Sequence, residues 1–116
     1  MKTILVVEDD KNQLLLYKNE LSLEGYNIIT AMDGCEAVSK ARDYSPDLII
    51  MDIQMPKMDG IESIGKILGE RRNVPIIINT AYSNYKNKFA SWSADAYIIK
   101  SSDLNELKEK IKELIR

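Results

Sequence analysis

The chain has 116 residues, 45% of them hydrophobic, and a net charge of −2. That length suits one domain with a real core, and the charge balance gives no basic footprint for nucleic acid. No apolar run reaches the length of a bilayer span, and the N-terminus turns acidic by Glu8, too early for a signal peptide, so a soluble cytoplasmic protein is expected.

There is no histidine. This removes imidazole acid–base catalysis, Ser-His and Cys-His nucleophile pairs, and the common zinc sites. The single Cys35 has no internal disulfide partner and no close cationic neighbour in sequence, and reads as an inert thiol. Chemistry must come from carboxylates, hydroxyls, lysines, backbone groups and an oxygen-loving metal.

In chain order, Thr3 to Val7 is an apolar run of strand length. Leu14, Tyr17 and Leu21 then recur at helical spacing, with Gly25 as the residue that ends the helix. Tyr26 to Ala31 reads as a second strand, and Asp33 to Tyr44 as a helix stopped by Pro46. Asp47 to Asp52 is a third strand, buried on both faces; Pro56 and Gly60 punctuate the loop after it. Ile61, Ile64 and Leu68 mark a helix, and Val74 to Thr80 a fourth strand with Pro75 near its start. Tyr85, Phe89 and Trp92 share one helical face. Ala96 to Lys100 is a fifth strand, and Leu104, Leu107, Ile111 and Leu114 stripe a last helix.

Strands alternating with helices predict an α/β protein with a parallel sheet covered on both sides. Four helix starts have capping-box form: Asp10-x-x-Gln13, Asp33-x-x-Glu36, Asp59-x-x-Glu62 and Asp103-x-x-Glu106. The stretch from about Ser83 to Ser93 lacks such a box and is rich in Ser and Asn, so it is expected to be the least stable helix.

The strand ends gather the reactive groups. The first strand ends in Glu8, Asp9 and Asp10, the third in Asp52, the fourth in Thr80 and the fifth in Lys100. With the first strand central, Glu8, Asp9 and Asp52 crowd together. Such a cluster needs a cation or a protonated member. Oxygen-only donors favour Mg²⁺, Ca²⁺ or Mn²⁺. Carboxylates, a divalent cation, a lysine and a hydroxyl suit a phosphoryl group, with Asp52 as the candidate nucleophile.

The segments Ile4-Leu5-Val6-Val7-Glu8-Asp9-Asp10, Asp47 to Gly60, Asn79-Thr80-Ala81-Tyr82 and Ala94 to Lys100, in this order and at these spacings, closely resemble the receiver domain of two-component response regulators. The resemblance covers essentially the whole chain, residues 1–116. It implies a doubly wound five-stranded parallel sheet of order 2-1-3-4-5 flanked by five helices. It implies that Asp52 is the phosphoacceptor, that Asp9 and Asp52 ligate Mg²⁺, that Glu8 acts through water, and that the Gln54 carbonyl completes the protein ligands. It makes Lys100 the partner of the phosphoryl oxygens, and Thr80 and Tyr97 the switch residues. The donor would be a phosphohistidine on a sensor histidine kinase or a histidine phosphotransfer protein, with no nucleic acid and no membrane bound by this domain. It further offers a homodimer through the fourth helical stretch, the fifth strand and the last helix.

Two residues depart from the family pattern. Ser101 stands where the family has a proline after a cis peptide bond, so either a costly cis bond is kept or the loop runs trans. Ser93 stands where the family places a glycine. Asp10 and Asp59 read as helix caps rather than ligands, and Lys57 as solvated. The other readings are a receiver-like interaction module that no longer uses phosphate, an aspartate-nucleophile phosphohydrolase, and a flavodoxin-like cofactor binder. The second lacks its Asp-x-Asp pair, since Asp52-Ile53-Gln54 offers no second carboxylate. The third lacks a phosphate loop after the first strand.

Overall fold

The computed structural model describes residues 1–53, 60–70, 73–81 and 93–115. Five strands, β1 (Thr3–Val7), β2 (Asn27–Ala31), β3 (Leu48–Met51), β4 (Ile76–Thr80) and β5 (Ala96–Ile99), form one sheet of order β2-β1-β3-β4-β5, with every pairing parallel. This is the expected order. Four helices lie among the described residues: α1 (Lys11–Leu23), α2 (Gly34–Tyr44), α3 (Gly60–Glu70) and α4 (Asn105–Leu114). The expected helix near 83–93, with its Tyr85, Phe89 and Trp92 stripe, lies outside the described residues, as do Gln54, Lys57 and Asp59.

Alternation along the strands divides the core into two layers. Leu5, Val7, Ile49, Met51, Ile76 and Ile78 face Ala37 and Ala41 of α2 and Ile64 and Ile67 of α3. Ile4, Val6, Leu48, Ile50, Ile77 and Ile98 face Leu14, Tyr17 and Leu21 of α1 and Leu107 and Ile111 of α4. Because β1, β3 and β4 are buried on both faces, they read as continuous apolar runs.

Local signals explain the helix ends. The Asp10 carboxylate accepts from the Asn12 and Gln13 amides, and that of Asp33 from the Glu36 amide. Glu36 accepts from the Met32 amide, one residue before the position a capping box would use. At the end of α1, Gly25 has φ +95°; its amide donates to the Ser22 carbonyl and that of Tyr26 to the Leu21 carbonyl, a complete Schellman motif. The last helix departs from expectation. Asp103 accepts from Asn105, not Glu106, and forms a turn that leads into the helix one residue later than a capping box would start it. Among the described residues no helix is long and apolar enough to cross a membrane.

Candidate functional site

Three ladder bonds continue past the strand ends and fix the reactive residues. The Glu8 amide donates to the Ala31 carbonyl at 3.0 Å, the Asp52 amide to the Val7 carbonyl at 3.2 Å, and the Lys100 amide to the Thr80 carbonyl at 2.8 Å. The backbone at Glu8, Asp52 and Lys100, just past the strand ends, is therefore still tied to the sheet. The site lies beyond the carboxyl ends of the strands, where open α/β sheets place their ligands.

The carboxylates crowd as expected. Oxygens of Glu8, Asp9 and Asp52 lie within 4.8 Å of one another. Glu8 and Asp52 are 2% and 5% exposed, while Asp9 is open to solvent. Lys100 supplies the compensating charge. Its Nζ donates to Glu8 Oε2 at 2.6 Å and to Asp52 Oδ2 at 2.8 Å. Glu8 Oε1 also accepts from the Asp10 amide at 3.2 Å. Burial pushes the Glu8 carboxyl above its ordinary range, against the opposing pull of Lys100 and the Asp10 amide; the Asp52 charge adds to the rise. Burial alone would lower the Lys100 ammonium, but bonds to Asp52 and Glu8 outweigh it and hold it above its ordinary value.

The backbone of Asp52 and Ile53 approaches the start of α3 without room for a side chain. A Cβ on Gly60 would sit 2.3 Å from the Asp52 carbonyl oxygen and 2.6 Å from the Ile53 Cα. The Gly60 amide donates to the Ile53 carbonyl at 3.2 Å. Gly60 is thus more than loop punctuation, since it lets α3 start directly against the backbone that carries Asp52.

Thr80 ends β4 fully buried, and Tyr97 is buried within the α2 and α3 layer. The Lys100–Ser101 peptide is trans, which resolves the alternative left open by Ser101. The Ser101 hydroxyl accepts from the Asp103 amide at 3.1 Å and shapes this loop. Ser93 has φ 64°, a left-handed conformation that explains why glycine suits that position. Two polar residues beside the site escape notice in the sequence. Tyr17 hides in the apolar stripe of α1, and Asn79 in a strand of isoleucines. The signal for Asn79 is an amide at a position that a doubly covered strand fills with apolar residues.

All donors in the carboxylate cluster are hard oxygens, two of them buried and held by backbone ladders. This donor set fits Mg²⁺ and suits neither zinc nor copper.

A sheet of this order, with acids from two strands meeting a lysine from a third, defines a receiver-type switch. The chain belongs to the response regulator receiver domain family, whose model matches residues 4–112. The response regulator ArlR of Staphylococcus aureus is 39% identical over 118 residues, covering all of this chain and 53% of that protein. The chain thus spans about half the length of the curated relatives it matches. Response regulator TrrA of Thermotoga maritima, solved in complex with Mg²⁺-BeF, is 47% identical with a TM-score of 0.93, covering 98% of this chain and 99% of that one. The same regulator solved with histidine kinase ThkA gives 46% identity and a TM-score of 0.91, with both chains fully covered. A receiver domain protein of Methanospirillum hungatei is 35% identical with a TM-score of 0.91, covering 97% of this chain and 92% of that one.

Proposed function

We propose that residues 1–116 act as one receiver unit that accepts a phosphoryl group on Asp52 and changes conformation in response. The observation that carries this reading is the buried Asp52 carboxylate, paired with Lys100 at 2.8 Å and clustered with the Glu8 and Asp9 carboxylates.

An Asp52 carboxylate oxygen attacks phosphorus, forming the O–P bond as the bond to the donor nitrogen breaks. The electron pair leaves with the donor imidazole. Asp52 is deeply buried, so the acyl phosphate forms largely out of bulk water. Lys100 exchanges its carboxylate partners for phosphoryl oxygens as charge moves outward from Asp52. Thr80 offers a hydroxyl at the end of the next strand, and Tyr97, buried on β5, takes up the space that Thr80 vacates. Asp9, Asp52 and, through water, Glu8 would hold a divalent cation, which would supply neutralising charge to the phosphoryl group. Gln54 would add a carbonyl ligand.

The similarity to TrrA, solved with a histidine kinase, supports a sensor kinase or a phosphotransfer protein as donor. Phosphoryl supply from such a kinase would place the domain in the cytoplasm. Its role is that of a switch, with at most slow self-phosphorylation from small donors and self-dephosphorylation.

The test is incubation with Mg²⁺ and acetyl phosphate followed by intact mass. Wild type should gain one phosphoryl group and Asp52→Asn none. Failure of wild type to gain mass, together with failure to bind beryllofluoride, would favour the phosphate-independent interaction module.

A further inference from the structure

Asn79 and Tyr17 form a buried polar pair beside the site that phosphoryl acceptance leaves unexplained. Val7, Met51, Ile78 and Tyr97 stand in register across the sheet. The next row is therefore Glu8, Asp52, Asn79 and Ile98. Alternation places that row on the layer of α1 and α4, the layer of Ile4, Val6, Ile77 and Ile98. Asn79 is thus the cross-strand neighbour of Asp52 on the same face.

Asn79 is 4% exposed and Tyr17 is 3% exposed. The Tyr17 side chain comes from α1 onto the same face of the sheet, with its hydroxyl close to the Asn79 amide. Lys100 follows β5, yet its ammonium meets Asp52 beyond β3 and Glu8 beyond β1. The lysine arm therefore spans β4 on the face that carries Asn79. Tyr17 and Lys100 also line one cavity of about 290 Å³, together with Gln13, Ser101 and Ser102. Burial raises the Tyr17 hydroxyl above its ordinary value.

A buried amide and a buried phenol on this face need a reason. If they only filled space, apolar residues of similar shape would serve as well. A lysine stem is flexible and loses aim unless something rigid supports it. We propose that the buried Tyr17–Asn79 pair is a positioning device for Lys100, a polar floor across β4 that delivers the ammonium to Asp52. The inference rests on Asp52 being the phosphoryl acceptor. Neither residue touches the reacting atoms in this role. The pair acts through Lys100 alone.

The test compares wild type with Tyr17→Phe and Asn79→Leu. Calorimetry measures beryllofluoride affinity at saturating Mg²⁺ and, separately, Mg²⁺ affinity. Lysine ammonium spectra are recorded on the metal-free protein, with Lys100→Met used for assignment. Beryllofluoride affinity should fall about tenfold in both variants, as expected when a reacting group loses its aim. Mg²⁺ affinity should hold or tighten, because a loosened Lys100 competes less for Glu8 and Asp52. The slowly exchanging Lys100 ammonium signal should broaden or vanish. Unchanged beryllofluoride affinity, a parallel fall in Mg²⁺ affinity, or an unchanged Lys100 signal would each overturn the inference. If Asn79→Leu fails to fold, the conservative Tyr17→Phe decides by the same criteria. Wild type that binds no beryllofluoride overturns the acceptor reading and this one together, whereas binding by wild type and equally by both variants overturns only this one.

Discussion

Lys100→Met removes the ammonium that separates two buried acids while keeping most of the stem. Glu8 and Asp52 would then face each other with oxygens within 4.8 Å. Two like charges at that distance repel by about 3.5 kcal/mol at an effective dielectric of about 20. Protonating one acid offers an escape. From a carboxyl near its ordinary value of 4.5 this costs about 3.4 kcal/mol at about pH 7 and about 1.4 kcal/mol at about pH 5.5. Burial already raises Glu8, so the true cost is lower at both. Urea unfolding in EDTA should show a loss of about 2–3 kcal/mol at about pH 7, shrinking to about 1 kcal/mol at about pH 5.5. The signs follow from the two shifts. Glu8, raised in the fold, contributes more stability as pH falls through its folded value and less above it. Lys100, also raised, contributes fully below its ordinary value of 10.5 and loses that contribution as pH rises through the folded value. Saturating Mg²⁺ should recover at least half of the loss at about pH 7, since a divalent cation neutralises the same acids. A loss under about 1 kcal/mol, a loss that grows on acidification, or no recovery with Mg²⁺ would refute the electrostatic reasoning.

Three further substitutions follow from the structure. Gly60→Ala drives a Cβ into the backbone at Asp52 and Ile53, and should cost about 1–3 kcal/mol in urea unfolding and slow phosphorylation by acetyl phosphate; a neutral result on both would show that this loop yields freely. Asp10→Ala removes the cap of α1 and should cost about 1 kcal/mol, with faster amide exchange at Asn12 and Gln13, its two donors. Ser45→Gly relieves a left-handed residue at the end of α2, φ 48°, and should stabilise by about 1 kcal/mol in thermal unfolding.

Much of the fold is legible in the sequence because two strong signals agree. Apolar runs such as Leu48 to Met51 have strand length, and α1 and α2 carry Asp caps at their starts. The misses lie at the edges. Val74 and Pro75 read as strand, but β4 starts at Ile76, whose amide goes instead to the Asp95 carboxylate at 2.9 Å. Such a long-range side-chain bond leaves no local pattern. Asp103 mimics a cap and makes a turn instead. The acids and Lys100 are legible because strand ends converge in any parallel sheet. The trans peptide at Ser101 is not, since its energy depends on the loop around it. Tyr17 is invisible for another reason. Periodicity assigns it a face but says nothing of its hydroxyl, whose neighbour Asn79 lies far along the chain.

The central claim is that Asp52 takes the phosphoryl group. The most direct measurement treats the protein with Mg²⁺ and acetyl phosphate, reduces any acyl phosphate with borohydride, and maps the resulting homoserine by peptide mass spectrometry. Homoserine at position 52, dependent on both Mg²⁺ and donor, is the expected result. Homoserine at Asp9 or another carboxylate, or none in protein shown to be folded, would contradict it.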